Sequence, residues 1–246
     1  MVVRKRTNRT YVRHIHIGAP DASGSKPFAT EAALVEAFAM AIRRGCPRGW
    51  SLLREMDAGV GVADLVLAPK PEALADLWLL RRVPPRLAPL FAPNTARRVR
   101  SVQAFMESTG MSRPAALRVL GDLALSGLAL REGEAVQLRA ASAAPFSHVV
   151  AIEAKLRDWG RALTQAYRNR QFATQSWVVL DAHYPVTKIA IDAFKQAGVG
   201  LAACSTTGQL RFYVKANTMR PVSLQRSWVA QAVIARSRRQ ALKPLR

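Results

Sequence analysis

The sequence is poor in cysteine, histidine and acidic residues, and each shortage excludes a class of protein. Its two cysteines, Cys46 and Cys204, cannot build a disulfide framework. The two cysteines and four histidines show no zinc-ligand spacing such as CxxC, so we expect any bound metal to be held by oxygen atoms. Only 16 residues are Asp or Glu, against 37 Lys and Arg, and the formal net charge is +21.

Long apolar runs are also missing. No stretch approaches the roughly 18 consecutive apolar residues that a membrane span needs. With 246 residues, 50% of them hydrophobic, the chain can still bury the core of one large domain or of two small ones. The chain begins with a basic stretch that no apolar signal segment follows, so we expect a soluble, cytoplasmic protein without a membrane partner. The cations of that stretch are Arg4, Lys5, Arg6, Arg9 and Arg13.

The excess of positive charge predicts a polyanionic partner, and nucleic acid is the first candidate. The last acidic residue is Asp192, and every charged residue after it is basic. These residues are Lys195, Arg211, Lys215, Arg220, Arg226, Arg236, Arg238, Arg239, Lys243 and Arg246. A general enrichment in arginine without a binding role is the alternative explanation.

The first part of the chain predicts a helix followed by a β-hairpin. Thr30 is a candidate N-cap for the helix EAALVEAFAMAIRR, whose apolar residues recur with the i, i+3, i+4 spacing of an amphipathic helix. Residues 50–57 and 62–67 then have the pattern of two antiparallel strands joined by a short turn. Asp64 lies inside the second, apolar strand, where a carboxylate without a partner would be costly to bury.

Residues 70–141 differ in character, which indicates an inserted unit. A proline-rich segment surrounds one predicted helix, EALADLWLLRRV. A helix over 97–108, a TGMS turn and a helix over 113–125 follow, and two short strands are expected around 131–134.

This order of helix, tight turn, helix and strand pair resembles a winged helix-turn-helix domain. In such a domain the second helix enters the major groove of DNA and the strand pair forms the wing. The resemblance implies that Arg113 and Arg118 face DNA, and that Arg131 and Arg139 contact phosphates.

From His148 the sequence returns to sheet-forming patterns. In the strand HVVAIEAK, Glu153 and Lys155 are two residues apart, so their side chains share one face of the sheet. A helix, LRDWGRALTQAYRNRQFA, comes next. It is followed by a strand over 176–181, a helix over 186–197 and strands over 199–205 and 209–215. The pattern predicts one α/β fold built from residues 1–68 and 146–246, with 70–141 inserted between the two parts.

Together these elements resemble the core of the PD-(D/E)XK nuclease superfamily. That core has an opening helix with a Glu, a hairpin with an Asp and a strand with (D/E)xK. Glu31, Asp64 in GVADLVL and 153-EAK-155 stand in those positions here. Gln165, in the helix after that strand, resembles the QxxxY-like position of some branches of the superfamily. The resemblance implies a restriction-endonuclease-like mixed sheet flanked by helices, with an inserted winged-helix domain.

The resemblance also implies a reaction. Hydrolysis of a phosphodiester bond requires an activated water and stabilisation of negative charge on the phosphoryl and leaving oxygens. Asp64 and Glu153, with the backbone carbonyl of Ala154, would hold Mg²⁺ or Mn²⁺. Lys155 would orient or deprotonate the attacking water.

Further candidates surround this predicted site. Glu31 would act through a bound water or a second metal ion, although Glu36 competes with it for the helical position. Gln165 would contact the nucleophile or steady the strand. Glu55, in the first strand of the hairpin, is another candidate ligand. The plainer alternative for the ExK sequence is a surface ion pair of little energetic value.

Three classes of function are compatible with these patterns. The best supported is a metal-dependent DNA endonuclease in which the core cuts and the winged helix contributes DNA binding; a role in restriction or in defence against foreign DNA would fit. The alternatives are a non-cutting DNA-binding regulator and a partner-binding protein, each on a nuclease-like core. A double-strand cut usually takes two active sites, so a homodimer is compatible with the first class.

Overall fold

The computed structural model describes residues 26–46, 49–59, 61–70, 76–141 and 148–237. These residues form a mixed α/β fold with a six-stranded mixed sheet, flanked by helices, and a separate two-stranded sheet. The predicted α/β class and the mixed sheet flanked by helices are thereby confirmed. The basic N-terminal stretch and the cations from Arg238 onward lie outside the described part of the chain. Within that part, no helix is long and apolar enough to cross a membrane.

The large sheet joins strands that are far apart in the sequence. Its strands are β1 (Trp50–Asp57), β2 (Val62–Pro69), β5 (Val150–Lys155), β6 (Gln175–Asp181), β7 (Gly200–Cys204) and β8 (Leu210–Val214), and they lie side by side in that order. β1 and β2 form the predicted antiparallel hairpin, and β2 is antiparallel to β5. β5, β6 and β7 are parallel to one another, and β8 returns antiparallel to β7. The hairpin is therefore the direct neighbour of the strand that carries the ExK sequence.

The helices that pack on this sheet include α1 (Glu31–Gly45), α6 (Trp159–Asn169) and α7 (Lys188–Ala197). Thr30 caps α1 as predicted, since its Oγ1 accepts a hydrogen bond from the backbone N–H of Ala33 at 3.1 Å. Apolar residues of α1 share a core cluster with Ile152 and Ala154 of β5. α6 packs on residues of β6 and β7 in a different cluster. Because successive strand residues point to opposite faces, α1 and α6 lie on opposite sides of the sheet.

The segment between β2 and β5 has a hydrophobic core of its own. In order it contains α2 (Leu77–Arg82), a 3-10 helix (Pro85–Phe91), α3 (Pro93–Ala96), α4 (Val102–Thr109), α5 (Arg113–Leu125), and the paired strands β3 (Ala129–Glu132) and β4 (Ala135–Leu138). Phe91, Phe105 and Leu120 are fully buried within it. The helix predicted over 113–125 is confirmed at both ends, with Pro114 in its first turn, a position where the missing backbone N–H costs nothing.

The helix predicted over 97–108 begins later, at Val102. The residues before it run alongside β4: the N–H of Val136 donates to the carbonyl of Arg100 at 3.0 Å, and the N–H of Val102 donates to that of Glu134 at 3.0 Å. Ser101 then caps the helix through a hydrogen bond from Ala104 N at 3.1 Å. The helix therefore starts where the pairing with the hairpin ends.

The C-terminal segment forms a helix that the sequence analysis does not predict, α8 (Leu224–Arg236). Trp228 and Ala232 belong to the core of the segment between β2 and β5. Ala230 and Ile234 belong to a cluster formed with residues of the β1–β2 hairpin and β5. Helix α8 therefore packs against the segment between β2 and β5 and against the large sheet. The division of the chain into a core and an inserted unit stays a prediction.

Candidate active site

The candidate site begins where the pairing of β2 with β5 stops. Leu65 faces Ile152 in the last registered pair, and the next position along would place Asp64 opposite Glu153. Beyond that pair, the Asp64 side chain replaces a strand carbonyl as the acceptor: its Oδ2 accepts a hydrogen bond from the backbone N–H of Ala154 at 2.7 Å. A carboxylate thus satisfies a strand donor that would otherwise need a backbone carbonyl.

Two carboxyl groups, those of Asp64 and Glu153, lie where the pairing of β2 with β5 ends. Glu153 is 2% exposed, and its Oε1 accepts a hydrogen bond from Asn169 Nδ2 of α6 at 2.6 Å. The carboxyl groups of Asp64 and Glu153 also interact electrostatically with each other. Two ionised carboxyl groups at such a place repel each other, and a proton or a cation relieves that repulsion.

The electrostatics of the pair follow from burial. Burial raises the pKa of Asp64, and the hydrogen bond from Ala154 and the charge of Lys155 oppose that shift. Burial also raises the pKa of Glu153 to about 7; the hydrogen bond from Asn169 opposes the shift and the charge of Asp64 adds to it. Burial therefore favours the protonated form of Glu153, as expected where two carboxyl groups are brought together without full compensation of their charge.

Lys155 connects this pair to the start of α1. Its Nζ donates to Glu31 Oε2 at 2.6 Å and to the carbonyl oxygen of Ala154 at 3.1 Å. The Lys155 side chain is only 12% exposed, whereas that of Glu31 is 48% exposed. The Lys155–Glu31 ion pair is therefore partly buried. The plainer alternative for the ExK sequence is a surface ion pair between Glu153 and Lys155, and in the described residues Lys155 pairs with Glu31 instead.

The two acidic residues of α1 that compete for this position have different partners. Glu31, the first residue of the helix, contacts Lys155. Glu36 forms an ion pair with Arg54 of β1 instead. Glu31 and Lys155 thus form an ion pair, and the backbone of Ala154 connects that pair to Asp64, because its carbonyl accepts from Lys155 and its N–H donates to Asp64.

Gln165 is not a direct partner of the carboxyls. It lies one helical turn before Asn169 on the same face of α6, and its buried Oε1 has no hydrogen-bond partner among the residues described. Asn169, which holds Glu153, is a site residue that the sequence analysis misses. The signal that could have found it is the four-residue spacing from Gln165 in the helix after the ExK strand.

Glu55 stands opposite Asp64 in the register of the hairpin but lies apart from the contacts of the site. The regular pairs Arg54 with Leu65 and Met56 with Ala63 flank this position. Glu55 is exposed, and its φ of 46° falls in the left-handed region that residues other than glycine rarely adopt. Its role as a metal ligand stays a prediction.

The donor set suits a hard divalent cation. Two carboxyl groups and one backbone carbonyl converge, and oxygen atoms of these kinds are the ligands that Mg²⁺ and Mn²⁺ prefer. A cation held by Asp64 and Glu153 would relieve the repulsion between their charges. In the described residues there is no group of three or more His, Cys, Asp or Glu side chains that could hold a metal, so the backbone carbonyl and water would have to complete the coordination.

The four arginines predicted to meet DNA are all exposed, and three of them contact residues of the segment between β2 and β5. Arg113 forms an ion pair with Glu134, and Arg131 Nε donates to the carbonyl of Gly133 at 3.0 Å, so both lie near the β3–β4 turn. Arg139 is stacked on the ring of Trp78, 4.3 Å from the ring centre. Arg118 lies on the exposed surface of α5. The structure does not bring these side chains into one cluster with the carboxyl pair.

Comparison with known proteins gives no assignment. No protein-family model matches the chain, and neither a curated protein nor a solved structure matches it. Any functional conclusion therefore depends on the contacts within the molecule.

Proposed function

We propose that this protein is a metal-dependent DNA endonuclease of PD-(D/E)XK type, with a restriction-endonuclease-like core and an inserted winged helix-turn-helix domain. The observation that carries the proposal is the linked set of Asp64, Glu153, Lys155 and Glu31, which come from β2, β5 and α1. Burying several charged groups together is costly, so an arrangement of this kind is more common at functional sites than elsewhere.

In this proposal Asp64, Glu153 and the carbonyl of Ala154 hold Mg²⁺ or Mn²⁺. When bound, the ion supplies positive charge that stabilises the phosphoryl and leaving oxygens in the transition state. Asn169 keeps Glu153 oriented through its 2.6 Å hydrogen bond, and it favours the ionised form of that carboxyl.

Lys155 acts as a donor at the reacting group. Two of its ammonium hydrogens are directed at Glu31 and at the carbonyl of Ala154, which leaves the third for a water or a phosphate oxygen. Glu31 holds the ammonium in place through their ion pair. The contacts therefore support an orienting and charge-stabilising role for Lys155 over that of a general base.

The winged-helix part of the proposal is supported by the order of elements between Val102 and Leu138. Helix α4, a tight turn at Gly110, helix α5 and the β3–β4 hairpin follow one another, and they share a core. In this arrangement α5 would enter the major groove with Arg113 and Arg118 at its exposed surface, and the hairpin would carry Arg131 near the phosphates.

The test is cleavage of DNA by the purified full chain. Supercoiled, single-stranded and branched DNA would be incubated with Mg²⁺ or Mn²⁺, and with EDTA, using the wild-type protein, Lys155→Ala and the matched control Lys195→Ala. Lys195 is an exposed residue of α7, 61% exposed, whose nearest acidic partner is Asp192 at 4.0 Å.

We expect the wild type and Lys195→Ala to cut at equal rates only when the metal is present. Lys155→Ala should cut at least about 100-fold more slowly, because it lacks the donor at the reacting group. Cleavage by Lys155→Ala at the wild-type rate would remove Lys155 from the mechanism. DNA binding without any cleavage would replace the proposal by a non-cutting regulator, and the absence of both would favour a protein partner.

A further inference from the structure

A second polar group lies just beyond the candidate site and is not used by the proposed mechanism. It consists of Arg157, His183 and Tyr184, called here the Arg157 cluster. Arg157 Nη2 donates to the Tyr184 hydroxyl at 2.5 Å, and its guanidinium lies 4.0 Å from the centre of the Tyr184 ring. The His183 ring packs edge-on against Tyr184, with 4.9 Å between the ring centres.

The topology places this cluster at the edge of the sheet where the candidate site lies. β5 and β6 are parallel, and Lys155 faces Leu180 in their register. Arg157 follows Lys155 by two residues, and the segment with His183 and Tyr184 follows directly after β6. The carboxyl ends of parallel strands meet at one edge, which is where ligands bind in open α/β sheets.

Asp181, the last residue of β6, ties the cluster to the helix that carries Glu31. This fully buried carboxylate accepts the backbone N–H of Phe28 at 2.9 Å through Oδ2 and that of His183 at 2.9 Å through Oδ1. Phe28 precedes Glu31 by only three residues. The loop that carries the cluster and the start of α1 are therefore held by the same side chain, so their spacing is fixed.

Arg157 and Tyr184 present hydrogen-bond donors that no carboxylate in the described part of the chain accepts. Among the residues the structure describes, Arg157 has no carboxylate within ion-pair distance, whereas Arg54 and Arg113 are paired with Glu36 and Glu134. The Tyr184 hydroxyl accepts from Arg157, so its own hydrogen is available for donation. The planar guanidinium keeps further N–H groups, and its stacking on the tyrosine ring fixes their direction.

We infer that Arg157 and Tyr184 form a binding subsite for a backbone phosphate of DNA, next to the candidate active site. The inference rests on the proposed function and adds to it the group that holds the strand beside the scissile bond. A guanidinium and a hydroxyl that both donate match phosphate oxygens, which only accept. The net charge of +21 favours a polyanion over the carboxylate of a protein partner.

The experiment measures binding of a fluorescein-labelled 20-base-pair DNA duplex by fluorescence anisotropy, in EDTA, over a range of KCl concentrations. The proteins are the wild type, Arg157→Ala, Arg157→Lys and the control Arg211→Ala. Arg211 of β8 also stacks on a tyrosine, Tyr213, at 5.0 Å. β8 lies three strands from β5, which is about 14 Å at ~4.8 Å per strand.

We expect Arg157→Ala to weaken binding several-fold and to reduce the slope of log K against log salt by about 0.9, the value of one phosphate contact. Arg157→Lys should keep the slope because it keeps the charge, and Arg211→Ala should change neither quantity. Tyr184→Phe should weaken binding at an unchanged slope, since it removes a donor and no charge. Equal melting temperatures of the variants would show that the fold is intact.

A salt slope of Arg157→Ala equal to that of the wild type would overturn the subsite, as would failure of the wild-type protein to bind the duplex. This outcome is separable from the cleavage test. Cleavage by the wild type with no change of slope in Arg157→Ala would leave the nuclease proposal standing without the subsite. A reduced slope together with no cleavage under any metal would leave the phosphate subsite standing without the nuclease proposal.

Discussion

The candidate active site and the α4–α5–β3–β4 segment use charged residues in opposite ways. In the site, hydrogen bonds join residues that are 90 positions apart, Asp64 with Ala154, and 124 apart, Lys155 with Glu31. In the segment, the ion pair of Arg113 joins residues 21 positions apart, and both its side chains are more than half exposed. One region gathers scarce acids at partly buried positions, and the other places abundant cations on the surface.

The buried carboxyl groups and the exposed arginines therefore differ in how strongly they indicate a function. Burying Glu153 beside Asp64 costs free energy, which the fold must supply from elsewhere, so the arrangement needs a reason beyond stability. Exposed arginines cost little and occur on many surfaces, so they indicate a class of partner at most. The nuclease proposal therefore depends mainly on the carboxyl groups at the large sheet. The two regions should respond differently to substitution.

The largest effect is expected for Glu153→Gln, which removes the buried charge and keeps the shape of the side chain. The pKa of Glu153 in the fold, about 7, lies above its ordinary value, so the fold favours the protonated form. The stability from this preference is fully present below the ordinary pKa, about 4.3, and is lost as the pH rises through about 7. Glu153→Gln should therefore raise the free energy of unfolding at pH 8, by on the order of 2 kcal/mol, and change it little at pH 4.

The measurement is urea unfolding in EDTA at both pH values, with Glu132→Gln as the matched control. Glu132 is an exposed residue of β3, so its variant should behave alike at the two pH values. The same variant of Glu153 should lose metal-dependent cleavage. A stability difference between wild type and Glu153→Gln that does not change with pH would contradict the assigned environment of this carboxyl.

A smaller effect is expected in the other region. Arg118→Ala should raise the Kd for duplex DNA a few-fold and lower the salt slope by about 1, with no change in the cleavage rate at saturating DNA. Glu134→Gln should act in the opposite direction, because it releases Arg113 from its ion pair and frees it for a phosphate. Both are measured by the same anisotropy titration, and weaker binding by Glu134→Gln would argue against DNA contact by Arg113.

The sequence predicts the elements whose signals are local. Thr30 as a cap, the apolar spacing of α1 and Pro114 at the start of α5 set helix ends that the structure confirms. Asp64, Glu153 and Lys155 could be placed because alternation along a strand fixes which side chains share a face. Their convergence follows from chain order once β2 and β5 are taken as neighbours.

The missed features depend on contacts that no local pattern encodes. The helix α8 lies in a segment read from the sequence only for its positive charge. It is stabilised by packing on two separate clusters through residues such as Trp228 and Ile234. The start of α4 is set by backbone pairing with a hairpin over 30 residues further on. Asn169 is a neutral residue, so a search for charged site residues passes over it, although it holds the buried carboxyl of Glu153.

The central claim is that Asp64 and Glu153, at the end of the β2–β5 pairing, form a cation site. Titration of the full chain with Mn²⁺ by isothermal calorimetry at pH 7 tests it directly, using the wild type, Asp64→Asn and Asp122→Asn, an exposed carboxyl of α5. We predict binding to the wild type with release of a proton, because the cation displaces the one held by Glu153. Asp122→Asn should bind equally, and Asp64→Asn at least about 10-fold more weakly. Equal binding of Mn²⁺ by Asp64→Asn and the wild type would contradict the account.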